Sequence, residues 1–192
     1  MPHIPENAII HTDPDRCLGC HSCEIACALA HSGGQDIVSA TAGRVPLHPR
    51  NIVVSFEGAT MPMQCRQCED APCTQVCPTN ACRQADGQIE IVEQHCIGCK
   101  LCVMVCPFGA ISVRAQADAA PDPDGLTNRG VALKCDLCKS WRAETGKEAP
   151  ACVEACPTKA IELVDMAKYR DALRKARARE LAQSHRSLRL NF

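Results

Sequence analysis

One cysteine motif occurs four times in this chain and constrains its fold more than any other feature. The third repeat is the most regular, Cys96-x2-Cys99-x2-Cys102-x3-Cys106-Pro107. The four repeats are Cys17/Cys20/Cys23/Cys27, Cys65/Cys68/Cys73/Cys77, Cys96/Cys99/Cys102/Cys106 and Cys135/Cys138/Cys152/Cys156. They account for all but one of the 17 cysteines, and Cys82 is left over. Because aromatic residues make up only 3% of the chain, side-chain packing alone is a weak basis for the fold.

The cysteines are expected to bind metal rather than to form disulfides. An odd number of cysteines excludes a closed set of intrachain disulfides. The opening MPHIPENAIIHTDPD lacks the charged and apolar regions of a signal peptide, and no apolar run approaches the roughly 20 residues that span a bilayer. We therefore expect a reducing, cytoplasmic location, with any membrane contact made through partners.

Charge is distributed unevenly along the chain. Residues 165–192 contain eight Lys or Arg and three Asp or Glu, whereas residues 1–164 contain 13 basic and 19 acidic residues. The tail is thus +5 and the body −6. A body of this charge argues against a nucleic-acid-binding protein.

The spacing C-x2-C-x2-C-x3-C-P is typical of bacterial ferredoxins, which hold [4Fe–4S] clusters. Three closely spaced thiolates can hold three irons of one cubane, while the fourth cysteine, one short helical step later, reaches a neighbouring cluster. Zinc is the alternative, but structural zinc sites use two C-x2-C arms that close a tetrahedron. The motif therefore predicts four [4Fe–4S] clusters.

The spacing of the repeats also suggests how they pair. Only 18 residues separate Cys77 from Cys96, with an Asp86-Gly87 turn signal between them. The second and third repeats should then form one unit, and the first and fourth another, each unit exchanging its fourth cysteines. This hypothesis predicts four ligand groups: group I is Cys17, Cys20, Cys23 and Cys156; group II is Cys27, Cys135, Cys138 and Cys152; group III is Cys65, Cys68, Cys73 and Cys106; group IV is Cys77, Cys96, Cys99 and Cys102.

The expected fold is α+β, with two ferredoxin-like modules of short antiparallel strands and short helices. Strands are predicted at Ala8–His11, Ile52–Phe56, Gln88–Val92, Ile111–Arg114, Val131–Lys134 and Ile161–Val164. The predicted boundaries are 1–50 with 115–164 for the first module, 51–114 for the second, and 165–192 for a basic C-terminal helix.

The chain resembles the four-cluster ferredoxin subunits of molybdenum oxidoreductases, formate hydrogenlyase and carbon monoxide dehydrogenase. The resemblance covers roughly residues 8–164 and is carried by CLGCHSCEIACALAHS (17–32), CRQCEDAPCTQVCPTNA (65–81), CIGCKLCVMVCPFGAI (96–111), CDLC (135–138) and CVEACPTKAI (152–161). It implies the same exchange of fourth cysteines, with the clusters arranged as a wire. It also implies that the first module faces a catalytic partner and the second faces the next acceptor.

The partner implied by this resemblance is carbon monoxide dehydrogenase, with a hydrogenase as acceptor. A formate dehydrogenase or another molybdenum oxidoreductase is the alternative. The sequence departs from the family pattern in two features. Ala28 follows the first repeat where a proline follows the other three, and the membrane-anchor helix of some periplasmic relatives is absent. Because such relatives can be exported with a signal-bearing partner, the missing signal does not exclude export.

An enzyme in its own right is not expected. Four cysteine ligands leave no open iron, and the sequence has neither a G-x-G-x-x-G nor a Walker lysine motif. The seven histidines show no metal-binding spacing: His3, His11, His21, His31, His48, His95 and His185. His21 and His95 stand beside ligand cysteines, where they either hydrogen-bond a sulfur or face solvent. An accessory or maturation protein, or a redox sensor, remains a third class.

Three further features carry weaker predictions. Lys100, Lys134, Lys139 and Lys159 lie near ligands and either raise cluster potentials or are solvated surface lysines. Met166, Tyr169, Leu173 and Ala176 fall on one helix face and predict a buried stripe, with docking of the basic helix on an acidic partner as the alternative. Cys82 aligns with Ile111 and Ile161 after the proline of each repeat, which predicts a buried packing role.

Overall fold

The computed structural model describes residues 7–33, 36–114 and 130–188, so His3 and the 115–129 segment of the predicted first module lie outside the described residues. The helices are α1 (Ser22–Ala30), α2 (Ile37–Ala42), α3 (Pro72–Gln75), α4 (Leu101–Val105), α5 (Lys139–Thr145), α6 (Ala151–Glu154) and α7 (Met166–Leu188). The strands are β1 (Ala8–Thr12), β2 (Asn51–Phe56), β3 (Ala59–Gln64), β4 (Cys82–Ala85), β5 (Gln88–Ile91), β6 (Ser112–Arg114), β7 (Val131–Leu133) and β8 (Ile161–Asp165). The predicted α+β class is confirmed.

The described strands form two-stranded antiparallel sheets, β1–β8, β2–β3, β4–β5 and β6–β7. The β1–β8 pair joins the two ends of the body, since Ala8 is opposite Asp165 and Thr12 is opposite Ile161. The predicted Asp86-Gly87 turn is confirmed: it connects β4 to β5, and both residues have positive φ, 51° and 70°. Because this conformation matches the twist of paired strands, the tight hairpin forms.

Each cysteine repeat follows the same local course. A single turn of 3-10 helix precedes the first cysteine of the first repeat (Pro14–Arg16) and of the third repeat (Glu93–His95). The short helices α1, α3, α4 and α6 lie at the end of the four repeats and carry the third cysteine of each. The predicted order of strand, cysteine loop, short helix and strand is therefore confirmed for the second and third repeats, whereas the first and fourth repeats have one additional helix, α2 after α1 and α5 before α6.

Two buried cores surround the cysteines. The first contains Ile10, Leu137 and Ile161 together with cysteines of the first and fourth repeats, and Cys65 joins it from the second. The second contains Ile89, Ile111 and cysteines of the second and third repeats, together with Cys82 and Ala132. Apart from these aliphatic residues the cores consist largely of cysteine and alanine, so bound metal must supply much of the cohesion.

Two strands escape sequence-based prediction. β3 contains Pro62, a residue that disfavours strands because it cannot donate a backbone hydrogen bond. The strand tolerates it because the sheet has only β2 and β3, with Pro62 opposite Val53. β4 is the polar stretch Cys82–Ala85 and forms because the following turn folds it onto β5.

The predicted buried stripe on the C-terminal helix is wrong. Tyr169 and Leu173 of α7 are 47% and 45% exposed, and Ala176 is exposed as well. Only Met166, which directly follows β8, is partly covered. The helix starts where the Asp165 carboxylate accepts hydrogen bonds from the backbone N–H groups of Ala167 (2.9 Å) and Lys168 (3.2 Å), and from there its described side chains face solvent. No helix in the described part of the chain is both long and apolar enough to cross a membrane.

Candidate metal centres

Two cavities in the structure are each lined by four repeat cysteines from two different repeats, and Cys82 also lines the second cavity. The first contains all members of group I, so Cys156 of the fourth repeat lies beside the first three cysteines of the first repeat. The apolar residues Leu18, Val53, Pro62 and Ile161 complete its wall. The Cys20 side chain is exposed, whereas Cys23 and Cys156 are buried, so one edge of the cavity faces solvent.

The second cavity contains all members of group IV. Cys77 of the second repeat lies there beside Cys96, Cys99 and Cys102 of the third. Cys99 is exposed and occupies the same place in its repeat as Cys20 does in the first. Groups I and IV therefore each have one predicted ligand cysteine exposed to solvent.

The members of group II lie together in the interior, and all four are buried. Burial, with a smaller contribution from the nearby Cys27, raises the pKa of Cys138 to about 12. The pKa of Cys152 is also well above its usual range because of burial and of the charges of Cys135, Cys138 and Cys27. For these four thiols to ionise in a desolvated space, a cationic centre such as the iron of a cluster would have to compensate their charge.

The members of group III belong to both cores, Cys65 to the first and Cys68, Cys73 and Cys106 to the second. Burial raises the pKa of Cys65, and the charges of Cys73 and Cys106 raise it further. The pKa of Cys68 is raised by burial and by the same neighbours. Cys106 of the third repeat thus lies with three cysteines of the second.

Backbone N–H groups point at the sulfurs of the ligand cysteines. Cys82 N donates to Cys77 Sγ and Ala160 N donates to Cys156 Sγ, both at 3.3 Å. Further bonds run from Arg50 N to Cys27 Sγ (3.3 Å) and from Ala132 N to Cys96 Sγ (3.5 Å). Such donors stabilise cysteine sulfurs as thiolates, the form that binds metal.

Two buried cations support a strongly anionic occupant for these groups. Arg142 is 2% exposed, and its Nε and one terminal nitrogen have no hydrogen-bond partner among the described residues, while the charge of Cys138 acts on it. Lys134 is 3% exposed, and within the described residues it forms no ion pair with a carboxylate. Because an unpaired buried charge is costly, a cysteine-ligated iron–sulfur cluster, which carries net negative charge, fits beside each of them.

An ionic network that the sequence analysis missed ties the first repeat to the fourth. Asp136 accepts hydrogen bonds from His31 Nε2 at 3.0 Å and from Arg50 at 2.5 Å. The other His31 ring nitrogen lies 2.7 Å from the Cys27 carbonyl and 3.9 Å from Cys27 Sγ. Burial opposes the charged form of His31, but its bonds to Asp136 and Cys27 raise its pKa to about 9. In the sequence, only the four-residue spacing of Cys27 and His31 could have indicated this network.

His31 and Asp136, with Cys138, also have the donor types and the proximity of a small metal site. The Arg50 guanidinium already neutralises Asp136, and Cys138 lies among the group II thiols. The trio is therefore better explained as part of the surroundings of group II.

Of the histidines and lysines singled out beside the cysteines, all but one are exposed. His21 is exposed and bonds Glu24 at 2.8 Å rather than a sulfur, and His95 is exposed too. Lys100, Lys139 and Lys159 are exposed, as the solvated alternative predicts. Lys134 is the exception, since it is buried and donates to the Cys135 carbonyl at 2.8 Å.

Groups II and III are neighbours across the boundary between the predicted modules. Gln67, in the loop of the second repeat, is buried and donates to the Cys135 carbonyl at 2.9 Å. Its side-chain oxygen accepts from Ile89 N at 2.8 Å. The side chain of one residue thus connects the loops that carry Cys65 and Cys135. Groups II and III are the inner pair, and groups I and IV the outer pair.

A cavity of about 400 Å³ lies away from the cysteines, between the β2–β3 hairpin and the 108–112 turn. Its lining is apolar apart from Arg50 and Ser112 and includes Phe56, Met61 and Phe108. Its described lining contains no pair of titratable groups for acid–base chemistry.

Comparison with known proteins identifies relatives along the whole chain. Residues 56–166 match the model of the 4Fe-4S dicluster domain. An iron-sulfur protein of Rhodospirillum rubrum is 69% identical over 192 residues, all of both chains. The electron transport protein HydN of Escherichia coli K12 is 38% identical over 84% of this chain and 90% of its own length. Formate hydrogenlyase subunit 2 of the same organism is 37% identical over 83% of this chain and 82% of its own.

Proposed function

The chain belongs to the 4Fe-4S dicluster domain family of iron–sulfur electron-transfer proteins, and on that premise we propose that it conducts single electrons through four [4Fe–4S] clusters. The clusters supply the chemistry, since each accepts and releases one electron at a time. The protein's own residues hold the clusters, set their surroundings and expose two of them to partners.

The proposed ligands are the sixteen cysteines of groups I to IV. The observation that carries the proposal is the presence of Cys156 in the cavity of group I and of Cys77 in the cavity of group IV. In a zinc finger, two C-x2-C arms supply all the ligands of one site. An exchanged fourth cysteine is instead typical of two-cluster ferredoxins. Groups I and II would form the first module, and groups III and IV the second.

Electrons would enter and leave at the outer groups. Cys20 and Cys99 are the two exposed members of the ligand set, and exposed apolar side chains surround them, including Leu18 beside Cys20 and Ile97 beside Cys99. All four cysteines of group II are buried, as are Cys65 and Cys73 of group III, and Gln67 connects the loops of the two groups, so the proposed path runs I, II, III, IV or the reverse.

Iron content and reduction test this proposal directly. Four clusters correspond to about 16 iron atoms per chain in the anaerobically purified protein. An iron content near half that value would reject four clusters. The visible absorbance should also bleach at the rate of turnover when a catalytic partner and its substrate are added.

The partner is proposed to be a catalytic oxidoreductase, with a hydrogenase as acceptor. The resemblance of the cysteine repeats favours carbon monoxide dehydrogenase as the electron donor. The names of two relatives, formate hydrogenlyase subunit 2 and hydrogenase-4 component A, equally favour a formate dehydrogenase donor and a hydrogenase acceptor. Reduction of the protein by carbon monoxide dehydrogenase with CO, compared with formate dehydrogenase with formate, separates the two.

The exposed helix α7 is proposed to dock on an acidic surface of that partner. Both of its acidic residues are already paired, Asp171 with Lys175 at 2.7 Å and Glu180 with Arg177 at 2.6 Å. Arg170 and Arg174 stand free of ion pairs in the described structure and flank the exposed Tyr169 and Leu173 on the helix surface. The occupant should therefore be acidic with a small apolar centre. The helix is only weakly amphipathic, which argues against a membrane-inserted apolar face.

Truncation after residue 164 tests the docking. We expect loss of partner affinity at low salt with unchanged iron content, and we expect Arg170→Glu with Arg174→Glu to reproduce the loss. The proposal is contradicted if the truncated chain keeps its affinity for the partner. It is also contradicted if helix α7 contributes affinity only for vesicles of anionic lipid.

Two rival functions have distinct tests. A substrate-dependent reaction by the isolated holoprotein would make it an enzyme, for which the apolar cavity beside β2–β3 offers no acid–base pair among its described lining residues. A maturation protein would be needed while its client is assembled and dispensable afterwards. Removal of this chain from an assembled complex should instead stop electron delivery.

A further inference from the structure

We propose that His31, Asp136 and Arg50 together position Cys27 as the exchanged ligand of group II. Their network takes the place of the proline-terminated loop that follows the fourth cysteine of the other repeats. The proposal rests on the proposed function and concerns residues outside the ligand set. All three are positioning residues, since they act on the cluster through Cys27 and the loop of the fourth repeat.

The first repeat differs from the others in where its helix ends. Helices α3, α4 and α6 each end before the fourth cysteine of their repeat, and a proline follows each of those cysteines. Helix α1 instead continues through Cys27 to Ala30, because Ala28 permits the helical conformation that a proline at this position would break. The fourth cysteine of the first repeat therefore lies inside a helix rather than at the start of a loop.

In the second and fourth repeats, the loop after the proline supplies a backbone donor to the fourth cysteine. Cys82 N donates to Cys77 Sγ and Ala160 N donates to Cys156 Sγ, both at 3.3 Å and from five and four residues further along the chain.

The corresponding donors of the first repeat are used within helix α1. His31 N donates to the Ala28 carbonyl at 3.2 Å, and Ser32 N donates to the Leu29 carbonyl at 3.1 Å. Because these N–H groups complete the end of the helix, Cys27 Sγ must receive its donor from a more distant part of the chain.

Arg50 supplies that donor. Its backbone N–H donates to Cys27 Sγ at 3.3 Å, the same distance as in the two loops, although the residues are 23 positions apart. Its guanidinium donates to Asp136 Oδ2 at 2.5 Å, and the side chain is only 18% exposed. The ion pair therefore anchors the residue whose backbone N–H contacts the sulfur.

His31 fixes the end of α1 that carries Cys27. It lies one helical turn after Cys27, so the two side chains share a face of the helix. Its Nδ1 lies 2.7 Å from the Cys27 carbonyl oxygen, and its Nε2 lies 3.0 Å from Asp136 Oδ1. A carbonyl and a carboxylate only accept, so the imidazole ring donates from both nitrogens and connects the helix to the loop of the fourth repeat.

Asp136 joins these contacts to the other ligands of group II. It lies between Cys135 and Cys138 in the sequence, and its Oδ1 also accepts from Cys138 N at 3.0 Å. One carboxylate thus receives donors from helix α1, from the residue before β2 and from the ligand loop itself. Because His31 and Asp136 are 105 residues apart, the position of Cys27 relative to this loop depends on such long-range contacts.

The test is the iron content and the electron paramagnetic resonance spectrum of the dithionite-reduced holoprotein. The signal of group II is identified as the one missing in Cys135→Ala. His31→Leu removes both ring donors, and Arg50→Leu removes the anchor of the backbone donor. Since partners of ligands orient them for metal binding, each variant should lose the group II signal selectively, with iron falling from about 16 towards about 12 atoms per chain.

Matched variants separate positioning from a merely structural role. Arg50→Lys keeps the cation that pairs with Asp136 and should keep the group II signal that Arg50→Leu loses. His21 also bonds a carboxylate, Glu24 at 2.8 Å, but it is exposed and makes no described contact with group II. His21→Asn, whose asparagine tolerates the positive φ of 59° at this position, should leave the signal unchanged.

Ala28→Pro tests the origin of the arrangement. It gives the first repeat the same cysteine–proline ending as the others, and it should nevertheless lose the group II signal, because α1 would end before His31. The signal of the first three cysteines, identified as the one missing in Cys17→Ala, should remain. If Ala28→Pro fails to fold, the His31 and Arg50 variants still decide.

The proposal is overturned if His31→Leu and Arg50→Leu keep the group II signal at full intensity, or if Arg50→Lys loses it as completely as Arg50→Leu. A lowered thermal unfolding midpoint with an unchanged group II signal would also overturn it, since the network would then stabilise the fold alone. All of these outcomes leave the proposed function intact if the wild-type protein contains about 16 iron atoms. A wild-type content near half that value would instead reject the proposed function.

Discussion

The segments 77–82 and 156–161, CPTNAC and CPTKAI, are similar loops that differ in chemistry at two positions, Asn80 against Lys159 and Cys82 against Ile161. In each, a threonine two residues after the cysteine lies near its sulfur, Thr79 at 3.8 Å from Cys77 and Thr158 at 3.7 Å from Cys156. Each sulfur also accepts a backbone N–H bond at 3.3 Å. The loop ends in Cys82 in one copy and in Ile161 in the other. The shared backbone specifies where the sulfur points, whereas the last side chain is free to modify its neighbour.

A second difference concerns how the two halves of each predicted module are held together. The first and fourth repeats share the partly buried His31–Asp136–Arg50 network. The described second and third repeats have ion pairs at the surface, such as Arg83–Glu90 at 2.6 Å. The first module brings together segments far apart in sequence, so it needs such long-range contacts more than the β4–β5 hairpin module does.

The largest expected effect comes from removing a ligand of an inner group rather than of an outer one. Cys135→Ala empties a position in the fully buried group II, whereas Cys99→Ala removes an exposed ligand of group IV. Each variant should lose about four iron atoms. Cys135→Ala should also lower the thermal unfolding midpoint much more, because its cluster replaces core packing. Equal midpoints for the two variants would show that the inner group stabilises the fold no more than the outer group does.

The next effect compares the equivalent glycines of the first and third repeats. Gly19 and Gly98 both have positive φ, 63° and 67°, so alanine costs roughly 1–2 kcal/mol at either. A Cβ on Gly98 would also lie 2.5 Å from the Gly130 carbonyl oxygen, whereas on Gly19 it would meet the Thr60 side chain at 3.2 Å. Because a backbone carbonyl moves aside less easily than a side chain, Gly98→Ala should lower the free energy of unfolding more than Gly19→Ala in chemical denaturation. A larger loss for Gly19→Ala would contradict the close approach of the Gly130 backbone to the third repeat.

The smallest effect tests the two kinds of ion pair. Asp136→Asn leaves Arg50 and His31 partly buried without their carboxylate and should cost about 2 kcal/mol of unfolding free energy. Glu90→Gln removes a surface pair and should cost less than about 1 kcal/mol. Both are measured by anaerobic denaturation of the holoprotein. Similar losses would mean that the Asp136 network contributes no more than a surface pair.

The sequence by itself determined the local features of this protein. The Asp86-Gly87 hairpin depends on contacts between near neighbours, and the local pattern of residues predicts it together with most strand positions, including β1 and β8, whose pairing with each other is long-range. The buried position of Cys82 also followed from alignment with Ile111 and Ile161. The chemistry of the cofactor, [4Fe–4S], follows from ligand type and spacing, which are sequence properties.

Only the tertiary structure decided which side chains meet across the chain. Asp136 contacts a histidine 105 residues away, and Gln67 reaches a carbonyl 68 residues away, and neither contact leaves a periodic signal. Burial of Lys134 and exposure of Tyr169 and Leu173 oppose the usual preferences of these residue types. The physical reason is that burial depends on what the fold packs against a residue, and the fold encloses Lys134 where its ammonium donates to the Cys135 carbonyl at 2.8 Å.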